Sequence, residues 1–354
     1  MVINMNHTRL GTKKNTVIEG CKLLASLFVV FLHVPFPGNF GKYIDILSRF
    51  AVPFFFLVTG YYNYNASVRK ISRRLLHIAR LTLYACLFYI GWYSLLFLCY
   101  GDSVLSYLSS VFTMPKILNW LILNMNPFSD HLWYLSALLY CYIFFWIYTA
   151  LFHKKAGYVP LYILGFCLLC CTLLLDGPVS SFVMYIPHYI YRNVWFMGSS
   201  GFILGIFLHD ISAKYPRMLQ IPSFWHMLLI LSGGILALLQ RKAIGASEIS
   251  VGSIIAACGL LLYGLNNTAV SFRSPCLQNF AIHTGSYSTT IYIIHLAVLN
   301  LYQAQMLSHI GKALGSAEPF LRPFFIFLLS LLISVIWDHV KTVFCKTFEN
   351  NSRI

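Results

Sequence analysis

About ten stretches of roughly twenty predominantly apolar residues recur along this chain, beginning near residues 17, 50, 78, 131, 158, 194, 224, 250, 286 and 322. Each is long enough for a helix to cross the hydrocarbon core of a bilayer. With 58% hydrophobic and only 10% charged residues and a mean hydropathy of +0.72, an ordinary soluble domain is excluded. The expected fold is all-α, a polytopic transmembrane helical bundle of about ten spans. The spans leave no room for a sizeable soluble domain, so residues 1–354 read as one integral-membrane unit behind a short polar tail, residues 1–16. The second stretch, AVPFFFLVTGYY, is short and carries Pro53 and Gly60. A broken helix is expected there, since membrane helices tolerate such residues where neighbours satisfy the freed backbone groups.

The first stretch is not uniformly apolar. Lys22 and His33 stand eleven residues apart, about 1100° at 100° per residue, which is about 20° past three full turns. They share one helix face, and Glu19 and Ser26 fall close to the same line. A polar stripe in lipid is expensive, and ionisable groups in a span usually face a cavity or the bundle interior. The other reading places Glu19 and Lys22 at one membrane boundary and His33 at the opposite one.

The net charge of +15 would suit a nucleic-acid binder if it formed one patch, but the basic residues alternate with the spans, so nucleic acid is not an expected partner and the lipid bilayer is. With the N terminus in the cytoplasm, sixteen of the 25 Lys and Arg fall on that side, Arg273 and Arg353 among them, and eight, including Lys42, Arg49, Lys116, Arg192 and Lys312, fall on the other. That bias points to a multi-pass protein with both termini cytoplasmic. A cleavable signal is not evident after the polar N-terminal residues. The cysteines lie within or beside spans and read as small apolar packing residues; Cys167 and Cys170 have metal-like spacing but lack a partner pair or nearby His, so no metal site is expected.

Two connections have character. The segment 101–130 contains MPKILNWLILNM, a candidate helix on or dipping into the membrane, and ends SDHLWYL, where Ser129 or Asp130 can cap the next helix. SVRKISRRLLHIAR, after the second span, is basic; it fixes topology and meets anionic lipid, or it binds an anionic ligand.

Taken in order, IEGCKLLASLFVVFLH, FAVPFFFLVTGYY, the basic loop, HLWYLSALLY, RNVWFMGSSGFILG and YSTTIYIIH resemble the bacterial acyltransferase type 3 family of multi-span O-acyltransferases over nearly the whole chain. The most specific element is Arg or Lys, ten residues, then His, met by Lys22 and His33, with Glu19 where the family has an acidic residue before a Gly. TGYY resembles the end of the family's FFxxSGF signature, with Thr59 for Ser and Pro53 where many members carry Asp. The basic loop departs from the usual Arg-x-x-Arg form; Lys70 with Arg73, or Arg74 with His77, are the nearest fits. Many members carry an extracytoplasmic esterase-like domain after the bundle, and none is expected here.

The resemblance implies acyl transfer from an acyl-CoA, acetyl-CoA in the simplest case, to a carbohydrate hydroxyl in the bacterial cell membrane, without a permanently bound cofactor. Such chemistry needs a base for the hydroxyl and stabilisation for the oxyanion. His33 suits the first task, as base or transient acyl carrier, because imidazole titrates near neutrality. Lys22 lies about 16 Å from it along the axis and can pair with Glu19 instead. Lys70, Arg73, Arg74 and His77 are candidates for the phosphates of CoA. His131, Trp133, Tyr134 and Arg192, with His188, lie near outer boundaries where they can hold a carbohydrate, although aromatic belts explain Trp133 and Tyr134 equally well. His295, in IYIIH, fits the family's final motif or a packing role. The alternative function is a carrier of a small amino acid such as serine, by analogy with membrane modules joined to serine racemases.

Overall fold

In a computed structural model, residues 15–245, 247–267, 274–304 and 314–351 are described; the polar tail through residue 14, Arg273, Lys312 and Arg353 lie outside them. The described residues form helices and connections with no β-strand. In chain order the helices are α1 (Thr16–His33), α2 (Gly38–Ser48), α3 (Ala51–Tyr61), α4 (Val68–Cys99), α5 (Val104–Val111), α6 (Met114–Leu123), α7 (Trp133–Leu151), the single turn α8 (His153–Ala156), α9 (Val159–Leu174), α10 (Ser199–Lys214), α11 (Ser223–Ile244), α12 (Val251–Asn266), α13 (Pro275–Gln303) and α14 (Glu318–Asn351). Wide π-helical turns extend α9 over Leu175–Val183 and precede α10 over Val194–Gly198.

Among the described residues, eight helical segments are long and apolar enough to cross a membrane. The other two expected spans correspond to α12, an apolar helix of 16 residues, and α13, whose 29 residues include the polar run HTGSYSTT.

The second span differs from its expected form. It begins at Gly38, as α2, and the break falls at Arg49 and Phe50, ahead of Pro53 rather than at it. Pro53 is the third residue of α3, within the first turn, where a missing N–H costs no intrahelical bond. The expected MPKILNWLILNM helix is α6, none of whose residues is buried. The expected cap on α7 is absent: neither Ser129 nor Asp130 caps it through a side chain, because Ser129 is turned to another partner, described below. Among the cysteines, Cys21, Cys86 and Cys141 are buried packing residues, whereas Cys167, Cys170 and Cys171 lie exposed on α9.

The centre of the bundle is α3, whose Phe54, Phe56 and Leu57 are completely buried. It crosses α10 with almost no separation. A Cβ on Gly60 would lie 1.9 Å from the Phe202 carbonyl oxygen, and one on Gly205 would lie 2.1 Å from that of Leu57. Gly233 of α11 and Gly252 of α12 make a second crossing of the same kind. Lipid offers helices no hydrophobic reason to associate, so close backbone approach at small residues must supply the attraction.

The parts that collide at Gly60 and Gly205 are backbone and cannot turn aside. Gly60→Ala and Gly205→Ala are therefore each expected to cost about 1–3 kcal/mol or more by overpacking, seen as a lower apparent unfolding temperature of detergent-solubilised protein. Gly91→Ala, with open space around its Cβ, should leave that temperature unchanged or slightly raised.

Candidate active site

At the His33 end of α1 six parts of the chain surround a cavity of about 210 Å³: the end of α1, the α2/α3 break, the start of α7, Arg192, the stretch around Glu248 and α13. Its lining includes His33, Arg49, His131, Trp133, Tyr134 and Arg192. The structure thus brings together five residues singled out in the sequence, His33, His131, Trp133, Tyr134 and Arg192, from three separate parts of the chain. His188 does not line the cavity.

The loop before α7 is shaped by asparagines. Asn124 closes α6 in the left-handed region, with φ of 61°, which Asn tolerates better than most residues, and its Oδ1 accepts the amide of Val194 at 2.9 Å. Buried Asn126 accepts the amides of Phe128 and Ser129 at 3.0 and 3.4 Å. This frame delivers His131, 1% exposed, into the wall of the cavity. Its Nε2 lies 3.3 Å from the Ile293 carbonyl, an acceptor only, so that nitrogen carries the proton. Nδ1 is then free to accept the Ser129 hydroxyl at 2.9 Å. The serine expected to cap α7 instead orients this imidazole, while Tyr292 donates its hydroxyl to the His131 carbonyl.

His131 is one of three clustered imidazoles. Ring centroids lie 6.1 Å apart for His33 and His131, 5.1 Å for His33 and His295, and 5.1 Å for His131 and His295. His33 is only partly buried and opens to the cavity. His295 lies behind it with no exposure at all.

Around the imidazoles runs an ionic frame. Arg49 fills the α2/α3 break and forks onto Asp45, with Nε and Nη2 each 3.1 Å from a carboxylate oxygen, while its Nη1 reaches Glu248 at 2.7 Å. Arg192 pairs with Asp130 at 2.9 Å and lies over the Trp133 ring, 5.6 Å from its centre. Glu248 is held in place through its own backbone, since the Asp176 carboxylate accepts the amides of Glu248 and Ile249 at 3.1 and 2.6 Å. Sequence reasoning missed Asp45, Glu248 and Tyr292 as parts of the site and read Arg49 only as a topology signal. The spacing of Asp45 and Arg49 was an available clue to their pairing, but nothing in the sequence ties either to Glu248, about two hundred residues on.

The opposite end of α1 is a separate place. Lys22 pairs with Glu19 at 2.5 Å, and the carboxylate sits over Gly285 of α13, where a Cβ would fall 1.7 Å from Oε2. Ser26, between the two ends, is buried and donates to the Leu23 carbonyl within its own helix. The first turns of α4 share this end. Lys70, Arg73 and His77 are exposed and, at spacings of three and four, lie on one helix face. Arg74 is committed elsewhere, donating to the Tyr62 carbonyl and Asn63 Oδ1, both at 2.7 Å. Asn63 passes the connection inward by donating to Tyr142 at 3.1 Å. Thr59, in the FFFLVTGYY stretch, is in hydrogen-bonding reach of Tyr134 in the cavity wall. The four basic-loop candidates are thus divided, with three facing outward and one serving the fold.

An imidazole at the wall of a small polar cavity, flanked by an arginine and an aromatic face, can take a proton from a hydroxyl held there. Burial alone would raise the Glu248 carboxyl, but the charge and hydrogen bond of Arg49, with Arg192 and His188 adding to them, hold it below its ordinary 4.5. A carboxyl lowered on folding contributes stability that is fully present above its ordinary value and is lost as pH falls through the lower folded one. Glu248→Gln is therefore expected to cost about 1–3 kcal/mol near neutrality, the worth of a hydrogen bond to a charged group. The gap from wild type, followed by thermal unfolding against pH, should close as pH falls below the ordinary 4.5 and through the lower folded value.

Comparison with curated proteins and with solved structures finds no significant match. A family model described as an acyltransferase domain, acyltransferase type 3, matches residues 15–338, a stretch that contains both ends of α1, the basic face of α4, the cavity and all three imidazoles, and the chain accordingly belongs to this family of membrane acyltransferases.

Proposed function

We infer that the protein is an integral-membrane O-acyltransferase that moves an acyl group, acetyl in the simplest case, from acyl-CoA to a hydroxyl of a cell-envelope or exported glycan. The observation that carries this reading is the position of His33, partly buried at the wall of a polar cavity that also presents Trp133, Tyr134, Arg192 and His131. Sugars are held by aromatic faces and by paired charged groups that can hydrogen-bond several hydroxyls, and the cavity offers both.

The two ends of the bundle differ in the way such a division of labour requires. At the cavity end Arg49 and Arg192 are matched by Asp45, Glu248 and Asp130. Lys70 and Arg73, at the other end, are exposed and make no ion pair among the described residues. A cytoplasmic position for that end agrees with the excess of basic residues on its side and leaves cations free for the phosphates of the donor. The bacterial cytoplasmic membrane, with both termini inside, is the corresponding location. In the transfer step the acceptor hydroxyl gives its proton to His33 as its oxygen bonds the thioester carbonyl carbon. The carbon–sulfur bond then breaks, and the departing CoA thiolate takes that proton from His33, leaving the imidazole neutral. Arg192 supplies positive charge near the oxygen that becomes negative in between. Lys22 and Glu19 brace the donor end of the same helix.

The test is purified protein in liposomes supplied with labelled acetyl-CoA and a glycan acceptor. Label is expected on the glycan with wild type and is expected to vanish with His33→Ala while the unfolding temperature stays put. Serine accumulation without acyl transfer would replace this reading with that of a carrier. Because Arg74 is bound into the fold, the donor site is probed with Lys70→Gln and Arg73→Gln together. The apparent donor KM should rise about tenfold or more, as expected for lost charge-assisted hydrogen bonds, with the acceptor KM nearly constant; an unchanged donor KM would remove this face from the CoA site.

A further inference from the structure

One buried polar atom at the site has no use in the fold. His295 has no exposed surface. Its Nδ1 lies 3.0 Å from the Ile291 carbonyl and 2.9 Å from that of Tyr292. Both partners are acceptors, so Nδ1 bears the proton and the neutral ring presents a lone pair at Nε2. That Nε2 is buried without a hydrogen-bond partner. A buried acceptor left unmatched costs about 1–3 kcal/mol, so its retention calls for an account.

Two other imidazoles lie near enough to supply a donor, each with its centroid 5.1 Å from that of His295. His131 is ruled out, because Ser129 and the Ile293 carbonyl occupy both of its nitrogens. The ring of His33 makes no hydrogen bond among the described residues. It ends α1, with Val34 beyond it closing the helix, and its ring turns about the side-chain bonds alone.

We propose that His295 is a positioning residue, whose Nε2 accepts the ring N–H of His33 and thereby turns the other His33 nitrogen, lone pair outward, toward the cavity. The order of protons is fixed from the backbone outward: the Ile291 and Tyr292 carbonyls hold the His295 proton on Nδ1, which makes Nε2 an acceptor, which holds the His33 proton on the nitrogen facing it. In neutral imidazole that leaves a base facing the cavity. When His33 takes the acceptor's proton, the positive charge is shared with a neutral imidazole, which offers a lone pair without placing a carboxylate in the membrane. This role rests on the acyltransferase reading for its consequence in catalysis; the pairing itself does not.

Two substitutions separate the two nitrogens of His295. His295→Asn keeps an amide able to donate to the Ile291 and Tyr292 carbonyls and withdraws the acceptor from the Nε2 position. His295→Gln places an amide oxygen near that position. The first readout is independent of activity: ring nitrogen shifts of ¹⁵N-histidine-labelled protein in nanodiscs, with the His33 signals identified by their loss in His33→Ala. Wild type and His295→Gln should show His33 as one neutral tautomer, and His295→Asn should show a mixture of two. The same His33 signature in wild type and His295→Asn would overturn the proposal. The second readout is transfer. His295→Asn should lower kcat about a hundredfold, in the range of a misplaced general base, with both KM values within about twofold, and His295→Gln should recover about tenfold of that loss. Equal losses in Asn and Gln variants, or a change confined to KM, would mark His295 as a packing residue. Absence of transfer in wild type would instead sink the acyltransferase reading and leave the tautomer result standing.

Discussion

A guanidinium placed in the break of a membrane helix needs opposite charge around it, and the site is built on how Arg49 obtains it. Asp45, one turn earlier, supplies half, and Glu248, from the connection between α11 and α12, supplies the rest. Satisfying one partly buried charge thus joins the α2/α3 break to the connection before α12, which Asp176 holds through its backbone amides. The space enclosed is the cavity. A partly buried pair of this kind adds little net stability, since desolvation offsets much of the attraction. What it does is tie the α2/α3 break to the connection before α12, both of which line the cavity.

Much of the architecture was legible because hydrocarbon imposes simple rules. Spans of the right length, a basic bias to one side and the eleven-residue interval from Lys22 to His33 are local or periodic properties, and they predict a helical bundle with a polar line on its first helix. The second span was harder. Its first half, GNFGKYIDILS, is too polar to read as a span, and only the counter-charges brought by folding make Arg49 acceptable there. Ser129 was misread for a related reason: its position before a helix suggests a cap, whereas the neighbour that claims its hydroxyl, His131, is itself held by α13.

Of the site, the individual residues were legible and their company was not. His33, His131, Trp133, Tyr134 and Arg192 were each singled out by type and by position near a membrane boundary, and that they share one cavity follows from packing. Among the basic residues of α4 the sequence suggested equivalence, but Arg74 is spent on the Tyr62 carbonyl and Asn63. An arginine so used resembles its neighbours in every respect that a sequence records.

The seat of Glu19 over Gly285 has a mechanical side. α1 and α13 run parallel, with Glu19 against Gly285 near one end and His33 beside His295 at the other. A carboxylate lodged where a Cβ would be keeps the two helices from sliding along one another, so the relative height of the two imidazoles is set at both ends of a lever about 20 Å long. The glycine therefore acts as a gauge: the bulk allowed at residue 285 determines the level at which two rings meet on the far side of the membrane.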